Sequence, residues 1–258
     1  MQTFKGFGKF ILGAAAVIST ALPLSGASAE EIHAAVAANF TAAMKEIVAN
    51  YEAKSGNKVL VSYGSTGKLY SQIKNGAPFE MFLAADAKRP ELLESEGMTK
   101  PGTRFTYAVG KLVLWSADPA RVDAAGEVLK EGGFAHLAIA NPKTAPYGAA
   151  AAEVIASLGL TEALTPLLIQ GDSITQTYQF VASGNAELGF VALSQVALLT
   201  EDKAGSRWMV PSDLYTPLAQ QAVLLKTGEG KAAAEEFYAY LQSPEAKAVV
   251  EHYGYGLE

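Results

Sequence analysis

The chain has no cysteine and only three histidines, and its acidic residues outnumber its basic ones. Without cysteine there is no disulfide framework, thiolate metal site, cysteine nucleophile or lipid-attachment thiol. His33, His136 and His252 have no partners at ligand spacing, so no metal centre is expected. With 20 Lys and Arg against 26 Asp and Glu, a formal charge of -6, a pI near 5.2 and no clustered basic run, nucleic acid is not an expected partner. After the N-terminal segment no stretch reaches about 20 uninterrupted apolar residues, so no spanning helix is expected. A GxSxG elbow is missing. GSTGK at Gly64–Lys68 fails as a nucleotide P-loop, because Ser62 stands where glycine is needed and Leu69 where a hydroxyl is needed.

What the chain does have begins with an export signal. Lys5 and Lys9 form a basic start, Phe10 to Leu24 is a short apolar run interrupted by Gly13 and Pro23, and Ala27-Ser28-Ala29 is a small-x-small cleavage site. Residues 1–29 are therefore expected to be removed, leaving 258 − 29 = 229 residues. Losing Lys5 and Lys9 takes the charge from -6 to -8. The mature protein is expected free in the periplasm. At 50% hydrophobic and 18% charged it is an ordinary globular chain, of a size for one large domain or two lobes.

Strand-like and helical segments alternate, the pattern of an α/β protein with mostly parallel sheets. Strands are expected at 32–37, 59–63, 81–84, 107–115, 137–140, 167–170, 188–192 and 220–226. Helices are expected at 40–54, 68–74, 89–96, 122–130, 149–158, 173–182, 232–242 and 244–252. The segments 107–115 and 220–226 are long, β-rich and far apart in sequence. If both cross between lobes, residues 30–110 with 222–258 form one lobe and 111–221 the other, with a ligand cleft between them.

The most informative stretch is Val61 to Asp86, a strand, a turn of Gly64, Ser65, Thr66 and Gly67, a helix, a Gly-Ala-Pro break and a second strand. Such a turn leaves backbone N–H groups uncovered at the positive end of a helix, which makes an anion cradle. Similar turns recur at Ala38-Asn39-Phe40-Thr41, Ala145-Pro146-Tyr147-Gly148 and Asp172-Ser173-Ile174-Thr175. Each turn taken alone reads more readily as a helix cap, and Asp172 is expected to cap its own helix. In an α/β sheet, however, such turns lie on one side and can converge. Lys68, beside the cradle, reads as a solvated helix residue.

The succession AANFTAAM (37–44), SYGSTGKLYSQIKNGAP (62–78), FLAAD (82–86), RFTYAVGKLVLWS (104–116), NPKTAPYG (141–148) and ELGFVALSQ (187–195) resembles the periplasmic molybdate-binding proteins of bacterial ABC importers across the whole mature chain. The resemblance implies a two-lobed periplasmic binding protein of type II, with two crossing strands. It holds a tetrahedral dianion in the cleft, with no cofactor, no metal other than that of the oxyanion and no charged side chain. Carried over position by position, it implies contacts at Asn39, at the hydroxyl of Thr66 and at the backbone amides of Tyr147 and Ile174, with Ser65 and Ala38 as secondary candidates. Some members add a tyrosine where this chain has Ala192; either Tyr147 or Asn39 is then the substitute donor or binding is weaker. The implied protein is a monomer that passes molybdate or tungstate to a membrane permease. Another oxyanion, such as sulfate or thiosulfate, is the alternative ligand. An enzyme on the same scaffold is disfavoured, because the turns offer no matched acid and base.

Overall fold

The computed structural model describes residues 1–6 and 29–257, so most of the expected export signal lies outside the described residues. Its strands are β1 (Glu31–Ala37), β2 (Lys58–Gly64), β3 (Met81–Leu83), β4 (Phe105–Gly110), β5 (Leu112–Ser116), β6 (Leu137–Ala140), β7 (Leu168–Gly171), β8 (Leu188–Ala192), β9 (Ser206–Met209) and β10 (Leu218–Leu224). The helices are α1 (Thr41–Ser55), α2 (Thr66–Lys74), α3 (Lys88–Ser95), α4 (Val128–Glu131), α5 (Pro146–Ser157), α6 (Thr161–Leu164), α7 (Ile174–Ala182), α8 (Leu193–Val196), α9 (Ala232–Tyr240) and α10 (Pro244–His252). Among the described residues, no helix is long and apolar enough to cross a membrane.

Two lobes are built on two five-stranded sheets, ordered β2-β1-β3-β10-β4 and β7-β6-β8-β5-β9. In the first, β1 runs parallel to β2 and β3, while β10 is antiparallel to β3 and to β4. The second repeats the plan, with β6 parallel to β7 and β8, and β5 antiparallel to β8 and β9. The parallel half of each sheet is the βα alternation that the sequence shows. The antiparallel half has a different origin, because β10 and β5 enter from the other lobe and not through a helical crossover.

Two connections join the lobes. Lys111 alone separates β4 of the first sheet from β5 of the second, and the return runs from Met209 to Leu218. β10 thus enters the first sheet at Leu218, ahead of the expected boundary at 221/222. Ile32, Val36, Phe40, Met44 and Ile47 pack with Phe237, Tyr238, Val249 and Val250, which docks the C-terminal helices on the first sheet. Leu112, Leu114, Ile139, Val154, Ile155 and Phe190 form the second core. Ala37, Ala38 and Ala85 of the first lobe join that second core, and their small side chains let the two sheet edges meet.

One expected helix is largely absent. Of residues 122–130 only the last turn is helical, because Gly126 takes φ +72° and the Asp123 carboxylate accepts from the N–H groups of Ala125 (2.7 Å) and Val128 (3.1 Å). That carboxylate binds the chain into a turn at Ala125 and takes the first N–H of α4, so the helix starts late. The edge strand β9 was not anticipated from its sequence, SRWM.

Candidate functional site

In each lobe two neighbouring parallel strands end at the same edge and feed helices. β1 leads through the 3-10 turn Ala38–Phe40 into α1, and β2 leads through Ser65 into α2. Across the cleft β6 leads to α5 and β7 to α7. Ala37, Ala38, Asn39, Gly64, Ser65, Thr66 and Ala85 from one lobe then enclose a cavity with Ala145, Pro146, Tyr147 and Ile174 from the other. Every position read from the sequence as a contact is on this wall, and no wall residue is charged. The cavity volume is about 10 Å³, so the lobes stand tightly closed here and have to part for the wall to take up a five-atom oxyanion.

The wall is rich in donors. First-turn N–H groups have no acceptor within their own helix, and they carry the positive end of the helix dipole. Thr66 and Ile174 are the first residues of α2 and α7, Tyr147 the second of α5, and Asn39 lies in the turn that opens α1. The Thr66 hydroxyl oxygen accepts from the Ala85 N–H at 3.0 Å, which leaves its own proton for a further acceptor. Ser65 is 4% exposed, and its hydroxyl has no hydrogen-bond partner. The Gly148 that follows Tyr147 is needed for close approach, since a Cβ there would lie 2.2 Å from the Ala140 carbonyl oxygen.

Asn39 is placed differently from expectation. Its side-chain nitrogen donates to Gln220 Oε1 at 2.7 Å and to the Tyr255 hydroxyl at 3.0 Å, so both amide protons serve a buried network. Gln220 also takes the Tyr107 hydroxyl at 3.0 Å and donates to the Tyr147 hydroxyl at 3.2 Å. The Tyr255 hydroxyl lies 2.8 Å from the Asn39 carbonyl oxygen and 2.9 Å from Ser194 Oγ. This network ties both lobes together directly behind the cavity. Burial pushes Tyr107, Tyr147 and Tyr255 well above the usual tyrosine range, and the neighbouring phenols add to the rise at Tyr147. All three therefore stay neutral and able to donate. Ala192, where the resemblance implies a tyrosine in some members, is fully buried in β8.

One further reading is corrected at the rim, while Lys68, read as a solvated helix residue, is exposed there. Asp172 does not cap α7; Ser173 does, accepting from the Gln176 N–H at 3.3 Å. The Asp172 carboxylate instead lies 2.9 Å from Lys68 Nζ, so Lys68 is paired across the cleft. Closure is also marked by the Gly67 N–H on the Thr144 carbonyl (2.8 Å), Ser194 Oγ on the Asn39 carbonyl (3.1 Å) and Thr175 Oγ1 on the Ala38 carbonyl (3.3 Å). A larger groove of about 470 Å³ lies alongside, sharing Ala85 and Pro146 with the cavity. It carries Asp86, Lys88, Arg89, Lys143 and Glu153, with Asp86 paired to Arg89. The mixed charges of this groove suit a dianion less well than the donor-lined cavity. Among the described residues, no three His, Asp or Glu side chains cluster as a metal site.

Two α/β lobes joined by two crossing connections, with four helix starts aimed at one enclosed cavity between them, define a binding protein for a small solute. The sequence profile of the bacterial extracellular solute-binding protein family matches residues 32–256. The chain belongs to that family of solute-binding proteins. The molybdate-binding protein ModA of Azotobacter vinelandii is 60% identical over 232 residues, covering 90% of this chain and 92% of that protein. The molybdate-binding protein ModA of Rhodobacter capsulatus is 55% identical over 244 residues, covering 95% and 94%. The solved periplasmic molybdate-binding protein of Azotobacter vinelandii superposes with a TM-score of 0.85 at 42% identity, covering 88% of this chain and 99% of that one.

Proposed function

We propose that this chain is a periplasmic solute-binding protein that captures molybdate or tungstate between its lobes and delivers it to the membrane permease of an ABC importer. The observation that carries this reading is the convergence of four helix N-termini, two from each lobe, on one cavity without a charged side chain. Oriented main-chain N–H groups and hydroxyls stabilise a bound anion without titrating near neutrality. A fully deprotonated dianion needs donors only, whereas hydrogen phosphate would also need an acceptor on the wall. The names of the relatives point to the same ligand.

In this reading the N–H groups of Asn39, Thr66, Tyr147 and Ile174 and the hydroxyls of Thr66 and Ser65 surround the oxyanion. The Asn39 side chain holds the network behind them. The lobes, 30–110 with the C-terminal segment against the middle of the chain, open to admit the anion and close around it. The protein acts as an exported monomer, released by cleavage after Ala29. Calorimetric titration with molybdate, tungstate, sulfate and phosphate tests the reading. Saturable binding of the first two, with phosphate failing, is expected. Phosphate binding as tightly as molybdate would overturn it.

A further inference from the structure

Gly67 is the second residue of α2 and has no positive φ, so nothing in its own backbone calls for glycine. In a helix glycine is a worse choice than alanine. What the position requires is space on its far side. A Cβ there would lie 3.0 Å from Thr144 Cα, 3.1 Å from the Thr144 carbonyl oxygen and 3.0 Å from an Arg89 guanidinium nitrogen. Thr144 belongs to the opposite lobe, in the turn between β6 and α5. The Gly67 N–H donates to that same carbonyl at 2.8 Å, and Arg89 donates to the adjoining Lys143 carbonyl at 3.1 Å. On either side the contact is one residue from the cavity wall, next to Thr66 and next to Ala145.

We propose that Gly67 is a positioning residue for oxyanion capture: by lacking a side chain it lets α2 meet the 141–145 turn main chain to main chain, and this contact sets how closely the two half-sites shut on the ligand. The proposal rests on the oxyanion reading above. A methyl group at this position needs ordinary contact distance from Thr144, which is backbone and does not rotate aside. The lobes then stop a few tenths of an ångström short, and the 2.8 Å bond lengthens. Each half-site remains intact, so encounter with the anion is unchanged. What weakens is the hold of the closed form.

The test is Gly67→Ala and Gly67→Ser beside the wild-type chain, with molybdate as the probe. Loss of one interlobe hydrogen bond and its neighbouring contacts predicts a Kd about five- to twentyfold weaker. The association rate stays within about twofold, so the change falls in dissociation. The ligand-free Tm of Gly67→Ala stays at or above wild type, because alanine favours the helix. Diffraction from molybdate-saturated crystals of the variants gives a distance from the residue-67 N–H to the Thr144 carbonyl longer than the 2.8 Å of the wild-type chain. Gln72→Ala, on the exposed side of the same helix, should match the wild-type Kd, association rate and saturated structure. A wild-type Kd in both Gly67 variants overturns the proposal, and so does weaker binding accompanied by an equal loss of ligand-free stability. If the wild-type chain itself fails to bind molybdate, the functional reading falls and this inference falls with it.

Discussion

Replacing Thr66 with alanine removes two interactions at once. The hydroxyl oxygen accepts the Ala85 N–H at 3.0 Å at a site only 1% exposed. Leaving that N–H buried and unpaired costs about 1–3 kcal/mol of folding stability. On the proposed oxyanion reading, the hydroxyl proton should contribute about 1.5–3 kcal/mol to binding, or roughly ten- to a hundredfold in Kd. The Ala85 bond makes the two losses comparable. Thr66→Ser keeps the oxygen and should recover both, while Thr66→Val keeps the shape without the oxygen and should recover neither. Calorimetry at neutral pH gives the Kd, and urea unfolding of the ligand-free protein gives the stability. A wild-type Kd in Thr66→Ala, or Thr66→Ser failing as badly as alanine, would refute the assignment.

Other changes give distinct outcomes. Asn39→Asp sets a carboxylate against Gln220 Oε1 and beside the anion, so it should both abolish molybdate binding and lower Tm; normal binding would place Asn39 outside the site. Affinity should be flat from about pH 6 to 8, since the wall offers amides and hydroxyls that do not titrate there. Because burial holds Tyr107, Tyr147 and Tyr255 protonated in the fold, their stability contribution is complete below the ordinary tyrosine pKa near 10 and is lost as pH rises beyond it, which melts recorded from pH 7 to 12 would show. Lys68→Ala should weaken binding less than about fivefold, with the difference vanishing at high salt, because its partner Asp172 is largely exposed; a larger, salt-independent loss would contradict a rim role. Adding molybdate should shrink the radius of gyration in small-angle scattering, and saturation without change would count against lobe closure.

The cradle was legible because its signals are local. A strand end, a small polar turn and a helix start occupy about six consecutive residues, as at Tyr63–Lys68, and helix dipole physics assigns such a turn its chemistry. The Asn39–Gln220 pair joins residues 181 positions apart, and nothing near Gln220 announces that β10 returns from the other lobe behind the cavity. The irregularity of pairing between Gln220 and Gln221 is a further local detail that periodicity does not reveal. Asp172 read as a cap because caps are its commonest role beside a helix, whereas Lys68 reaches it only once the lobes are folded together. Residues 122–130 show the converse limit. Their apolar spacing suited a helix, but Asp123 and Gly126 compete locally for the same backbone.

The central claim is that one anion is gripped by helix starts from both lobes. Diffraction at the molybdenum absorption edge from crystals grown with molybdate tests it most directly. The account predicts a single strong anomalous peak enclosed by the N–H groups of Asn39, Thr66, Tyr147 and Ile174. A peak in the neighbouring groove beside Arg89 and Lys143, or one held by a single lobe, would contradict it.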